Sequence, residues 1–160
     1  MRVQEFLKSC QREHKAVLAT NFYTFETLTA VLRAASAVGA PVMLQLTRSS
    51  IDYLGLKEAV GMARQGLADY GLEGWVHLDH GDSAELAAQC LDAGFDSVMI
   101  DGSERSLEEN IALTQRVVEM ARPYGANVEA ELGYVAKLGQ TQGGGFTTPE
   151  DAARFVAATG

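Results

Sequence analysis

Trp75-Val76-His77-Leu78-Asp79-His80-Gly81 is the stretch whose reading decides the fold. A short apolar run from Trp75 to Asp79 ends in a cluster of polar side chains. Asp82 and Glu85 then stand at the spacing of a capping box, and an amphipathic segment follows to Ala93, where Gly94 ends it. A second apolar run, Ser97-Val98-Met99-Ile100, comes next and again ends on a carboxylate, Asp101. Strand, helix, strand in this order predicts a parallel pair joined by a right-handed crossover.

The same pattern extends both ways along the chain. Toward the amino terminus, Ala16 to Asn21 is an apolar run, and a helix is expected from about Thr24 to Val38, stopped by Gly39. Pro41 to Thr47 is the next run. Ile51 to about Tyr70 reads as helix, in one piece or two. Toward the carboxyl terminus, Ser106 and Glu109 cap a helix that ends before Pro123, and Asn127 to Leu132 is the fifth run. Tyr134 to Thr147 is polar and glycine-rich, and its Gly143-Gly144-Gly145 reads as part of a flexible lid. Thr148-Pro149-Glu150-Asp151 opens a last helix, with proline in its first turn. Five βα units at about thirty residues each fit a single domain over residues 1–160. Eight such units would give the ~250 residues of a (β/α)8 barrel. A doubly wound sheet of five strands fits the same alternation, so periodicity leaves the choice open.

Polar residues gather at the carboxyl ends of the apolar runs: Asn21; Gln45, Thr47 and Ser49; Asp79 and His80; Asp101 and Ser103; Glu129 and Glu131. That is the end at which parallel α/β sheets place their sites. A carboxylate within a β run is costly unless something pairs with it, and a divalent metal is the simplest common partner. Side-chain alternation puts His77 and Asp79 on one face and turns His80 away, unless the backbone bends, which Gly81 would allow. Glu129 and Glu131 share a face. Taken singly, each of these groups could equally be a capped strand end or a salt bridge. Their convergence at one end of one sheet favours a metal site. His14 is expected on the surface and Cys90 in the core.

Composition narrows the function. The 160 residues are 47% hydrophobic, carry a formal net charge of −8 and have a pI near 4.8. Nucleic acids and anionic membranes select basic surfaces, so neither is an expected partner. A small anionic substrate remains compatible. Two cysteines outside any CxxC pattern argue against a disulfide framework and for a reducing cytoplasm. No signal peptide or membrane span is visible in the sequence.

His77-Leu78-Asp79-His80-Gly81, Ala93-Gly94-Phe95-Asp96-Ser97-Val98-Met99-Ile100-Asp101-Gly102-Ser103, Glu108-Glu109-Asn110 and Val128-Glu129-Ala130-Glu131-Leu132-Gly133, in this order, resemble the class II fructose-bisphosphate and tagatose-bisphosphate aldolases. Ala19-Thr20-Asn21, Pro41-Val42 leading to Gln45, Thr148-Pro149-Glu150, Phe155-Val156 and Thr159-Gly160 extend the likeness from about residue 16 onward. The resemblance implies the amino-terminal part of a (β/α)8 barrel. It also implies a zinc-dependent aldol cleavage of a sugar (bis)phosphate to dihydroxyacetone phosphate and an aldehyde, in which zinc polarises the carbonyl. By position, Asp79 handles the hydroxyl proton and His80 is a zinc ligand. Glu131 and Asp101 lie by the metal, and Asn21 and Thr47 contact substrate. A homo-oligomer is expected.

Two departures accompany the likeness. The family's two other zinc histidines follow its sixth and seventh strands, beyond Gly160, so this chain alone is expected to hold catalytic zinc weakly or not at all. The family's mobile loop glutamate has no counterpart between Glu131 and Glu150. An accessory or non-catalytic family member, or a structural portion of a barrel, is therefore the alternative reading. An open parallel sheet with an uncovered edge strand invites pairing. The 160-residue chain alone is accordingly expected to self-associate, and a monodisperse monomer in light scattering would refute this.

Overall fold

The computed structural model describes residues 1–133 and 145–160. Five parallel strands stand in chain order: β1 (Leu18–Asn21), β2 (Val42–Thr47), β3 (Gly74–Gly81), β4 (Ser97–Ile100) and β5 (Asn127–Ala130). Helices follow each: α2 (Phe25–Val38), then α3 (Arg48–Leu54) with α4 (Leu56–Asp69), α5 (Ala84–Asp92), α6 (Leu107–Ala121) and α7 (Pro149–Thr159). Sequential order with no reversal is what a barrel wall requires and a doubly wound sheet lacks.

The helix starts follow side-chain chemistry. Thr24, Ser106 and Thr148 each accept the backbone N–H three residues on, and Ser106 and Glu109 complete the capping box. At α5 the cap is Ser83 rather than Asp82. Ser83 accepts from Leu86 N, while Asp82 takes the Ser83 hydroxyl and Arg48. The helix after β2 begins earlier than Ile51, because Thr47 caps it by accepting from Ser50 N. β5 stops at Ala130, two residues short of the expected end.

A further helix, α1 (Val3–Glu13), precedes the first strand and was not among the expected elements, although Val3, Phe6, Leu7 and Cys10 repeat at helical spacing. This helix lays Val3, Phe6 and Leu7 against Met43 and Trp75, at the amino ends of β2 and β3. The Phe6 and Trp75 rings lie 4.5 Å apart, and the indole N–H donates to Met1 O. His14 is exposed, as expected, in the left-handed cap of α1.

Alternation divides the sheet into two chemically different faces. Leu44, Leu46, Val76, Leu78, Val98 and Ile100 are buried against the helices, with Cys90 among them. The opposite face carries one row in register across all five strands: Asn21, Gln45, His77, Ser97 and Asn127. The apolar face supplies the stability and the polar row floors the site.

Between β3 and β4 the register slips. Leu78 faces Val98 and Gly81 faces Ile100, so Asp79 and His80 together oppose Met99. This is a β-bulge. His80 itself takes the left-handed turn, with φ +50°, whereas the sequence pointed to Gly81 for the bend. Gly81 instead permits a close approach of two strands, since a Cβ there would lie 2.5 Å from Met99 O and 2.7 Å from a Leu78 methyl. Gly81→Ala should therefore force the β3–β4 contact apart and destabilise the chain by about 1–3 kcal/mol. A urea midpoint equal to wild type would mean that the bulge tolerates the methyl.

Candidate metal centre and active site

The site is built from strand ends that curl toward one another. Two side-chain contacts cross over an intervening strand. Asn21 on β1 donates through Nδ2 to Asp79 Oδ2 on β3 at 2.7 Å. His80 Nδ1 on β3 lies 3.5 Å from Glu131 Oε2, just past β5. In a flat sheet, strands two apart are separated by about 9.5 Å. Contacts of this length require the polar face to be concave.

His80, Asp101 and Glu131 offer ligand atoms that all lie within 4.8 Å of one another. His80 Nδ1 is 3.0 Å from Asp101 Oδ2. Asp101 Oδ1 accepts from both the backbone N–H and the hydroxyl of Ser103, at 3.1 and 2.6 Å. Burial works to raise the Asp101 pKa, but the Ser103 donors and His80 outweigh it and hold the carboxyl below its ordinary range. The Asp101 hydrogen bond raises the imidazole of His80, with the charges of Asp79 and Glu131 adding to it. Behind Glu131, buried Asn110 donates through Nδ2 to the Glu131 carbonyl at 2.7 Å and accepts the Thr114 hydroxyl. One imidazole nitrogen and two carboxylates form a donor set that suits a divalent cation.

Below this triad lies His77, with no exposed surface. Its Nδ1 is 2.8 Å from Ser97 Oγ, which also accepts from Asn127 Nδ2 at 3.3 Å. Its Nε2 is 3.6 Å from Glu129 Oε2, too long for a hydrogen bond, and has no hydrogen-bond partner. Burial pushes the His77 pKa down to about 4, so the ring is neutral and the Glu129 contact is not an ion pair. Partial desolvation and repulsion from Asp79 and Glu131 raise the Glu129 carboxyl.

The expected site residues thus fall into three positions. Asn21 and Asp79 are hydrogen-bonded to each other, and His80, Asp101 and Glu131 form the triad. Thr47 stands beside Asp79 in register, but its hydroxyl is shared with Ser49, Ser50 and the start of α3. The expected Gly143–Gly145 lid falls almost wholly outside the described residues. Sequence reasoning did not single out Ser97, Asn127 or the bracing role of Asn110. Their signal was faint: single polar residues on faces that periodicity marks as inward.

All 160 residues match the family model described as fructose-bisphosphate aldolase class-II. A fructose-bisphosphate aldolase of Helicobacter pylori is 37% identical over 158 residues, covering 95% of this chain and 52% of that protein. The D-tagatose-1,6-bisphosphate aldolase subunit GatY of Klebsiella oxytoca is 36% identical, covering 98% and 57%. The crystal structure of the YdjI aldolase from Escherichia coli K12 superimposes with a TM-score of 0.85 at 28% identity, over 99% of this chain and 57% of that one. Parallel sheet, concave polar face and sequence together place the chain in the class II fructose-bisphosphate aldolase family. Its five βα units correspond to part of that family's barrel, and the chain spans about half the length of the curated relatives it matches.

The His77 environment has a consequence for stability. An unfolded histidine titrates near 6.5 and the folded one near 4, so the unfolded chain binds the extra proton first as pH falls. The stability supplied by neutral His77 is complete above pH 6.5 and is lost between there and pH 4, by about 3 kcal/mol in all. Urea unfolding of His77→Gln should lack this component and fall less steeply across that window. Parallel profiles for the two proteins would rule it out.

Proposed function

We propose that the protein acts as a class II ketose-bisphosphate aldolase, cleaving a sugar bisphosphate reversibly to dihydroxyacetone phosphate and an aldehyde. The observation that carries this reading is the pair of clusters on the concave face. An oriented carboxylate, Asp79, stands on the same bulge as a metal-type triad, His80, Asp101 and Glu131. Residues 1–160 would form one domain of the barrel. Zinc is the expected metal, with His80 as ligand and Asp101 and Glu131 beside it. When bound it would supply Lewis acidity toward the substrate carbonyl.

The chain's own residues then divide the chemistry. Asp79 takes the proton from the hydroxyl on the carbon whose bond to its neighbour breaks, and returns it in the condensation direction. Asn21 occupies Asp79 Oδ2 and so leaves Oδ1 as the oxygen for that hydroxyl. Ser103 and Asn110 hold Asp101 and the backbone of Glu131 in place. Thr47, in register beside Asp79, would contact substrate once its shared hydroxyl rotates away from its serine neighbours. A cytoplasmic homo-oligomer is the setting we propose; both cysteines are free and buried. No helix among the described residues is long and apolar enough to cross a membrane.

A second reading, an accessory or non-catalytic subunit, is favoured by one fact. No Asp or Glu stands between Glu131 and Glu150, where the family resemblance leads one to expect an acid/base.

The deciding assay is cleavage of fructose 1,6-bisphosphate and tagatose 1,6-bisphosphate, with chelator and with zinc restored. Zinc-dependent turnover is expected where the rest of the barrel completes the zinc site, and little or none from residues 1–160 by themselves. Asp79→Asn should lower kcat at least about 100-fold while leaving zinc affinity intact, and His80→Ala should weaken zinc binding itself. Zinc binding without turnover of either sugar would favour the accessory reading.

A further inference from the structure

The concave face is rich in acids, and the cations around it are mostly committed. Arg48 Nε is 3.1 Å from Asp52 and its Nη1 is 3.5 Å from Asp82. His80 is held by Asp101 and Glu131. Arg105 differs: among the described residues its guanidinium makes no ion pair or hydrogen bond, although its charge is felt by the Glu109 carboxylate. It also stands between two cavities. It lines one of about 660 Å³ together with His80, Asp82, Asp101 and Glu104. On its other side it lines a smaller one of about 210 Å³, with Ser103, Gly133 and Thr147 among its walls.

The backbone that carries Arg105 is firmly placed. Ser103 is tied to Asp101 through its N–H and its hydroxyl. Arg105 N donates to Gly102 O at 2.9 Å, and a Cβ on Gly102 would come within 2.3 Å of Asn110 Oδ1. Ser106 immediately caps α6. A long side chain springing from a fixed turn into an acid-walled cavity gains no hydrogen bond from its neighbours. An oxyanion carried in by a ligand would supply such bonds, since a guanidinium fork matches it through two parallel N–H bonds.

We propose that Arg105 anchors an oxyanion of the substrate, a phosphate monoester in the first instance, in the cavity it shares with His80 and Asp101. Arg105 is then a specificity-determining residue, selecting phosphorylated over neutral sugars. The proposal rests on the aldolase reading for the nature of the substrate, but its test does not require turnover.

The probe is glycerol 3-phosphate, with glycerol and glycerate as controls, titrated calorimetrically into the chain in chelator so that no metal captures the phosphate. Wild type should bind glycerol 3-phosphate and not glycerol. Arg105→Gln should weaken binding at least tenfold, and Arg105→Lys should fall between, keeping the charge and losing the fork. Unchanged thermal midpoints would show that both variants fold. Glycerate binding as tightly as glycerol 3-phosphate would overturn the choice of phosphate. Equal affinity in Arg105→Gln, or no wild-type binding at millimolar ligand, would overturn the site itself. Arg105-dependent binding in a protein that cleaves neither bisphosphate would support the anchor and sink the aldolase reading alone.

Discussion

The bulge in β3 is the constraint on which the rest of the site depends. Strict alternation would aim Asp79 at the concave face and His80 at the helices. With both residues opposite Met99, the two side chains reach the same mouth. The cost is a non-glycine residue at φ +50°, on the order of 1–3 kcal/mol. Three features hold it there. Gly81 seats closely over the Met99 carbonyl, Leu78 is locked in the apolar face, and His80 Nδ1 meets Asp101. A local strain that the surroundings over-determine, at the point where a metal-type triad and an oriented carboxylate meet, is what a functional site in a β sheet looks like.

The polar row beneath has its own logic. Barrel interiors are ordinarily filled by branched apolar side chains. Here Asn21, Gln45, His77, Ser97 and Asn127 take that layer; His77 and Ser97 are fully buried, and their burial is tolerable because they bond to each other. Ser97 Oγ serves both His77 and Asn127, and Asn21 reaches up to Asp79. His77 Nε2 remains the exception, buried and unbonded, directly under Glu129. The floor of the site is therefore ordered by hydrogen bonds, while the convex face holds the sheet together through hydrophobic contact.

How much of this is legible in the sequence follows from the range of each interaction. Strands and helices come through because their signals are local: Gly39 and Gly94 stop helices, and Ser106 with Glu109 starts one. Asp82 misleads because Ser83 offers an equally good cap one residue on, and only the path of the chain decides between them. Asn21, Asp79, His80, Asp101 and Glu131 can be picked out because each ends an apolar run. Which of them touch cannot be read, since the pairs span two strands and depend on curvature. The bulge itself is half legible. A bend near His80 is required if that ring is to face inward, but the choice between His80 and Gly81 is made by the Met99 carbonyl, on the neighbouring strand. The α1 helix carries a plain stripe of apolar residues, yet it lies outside the strand–helix alternation that organises the rest of the chain and is easily passed over.

The electrostatics of the mouth give the arrangement its direction. Asp79, Asp101, Glu129 and Glu131 converge there, in a chain whose net charge is already −8. Burial, with repulsion from Asp79 and Glu131 adding to it, raises the carboxyl of Glu129, while the Asp101 hydrogen bond and the neighbouring negative charges raise the imidazole of His80 against its own partial burial. Such a set is poorly stabilised by water alone once the strand ends curl together, because each group loses solvent as the others approach. It is stabilised by cations. His80 supplies one when protonated, and a divalent metal would supply a larger one while displacing that proton. The same field would turn away a sugar phosphate unless a fixed positive group met it at the rim. A metal at the centre and an arginine at the edge would thus be two answers to one excess of negative charge, and the fold can carry that excess because the apolar face of the sheet is packed against the helices.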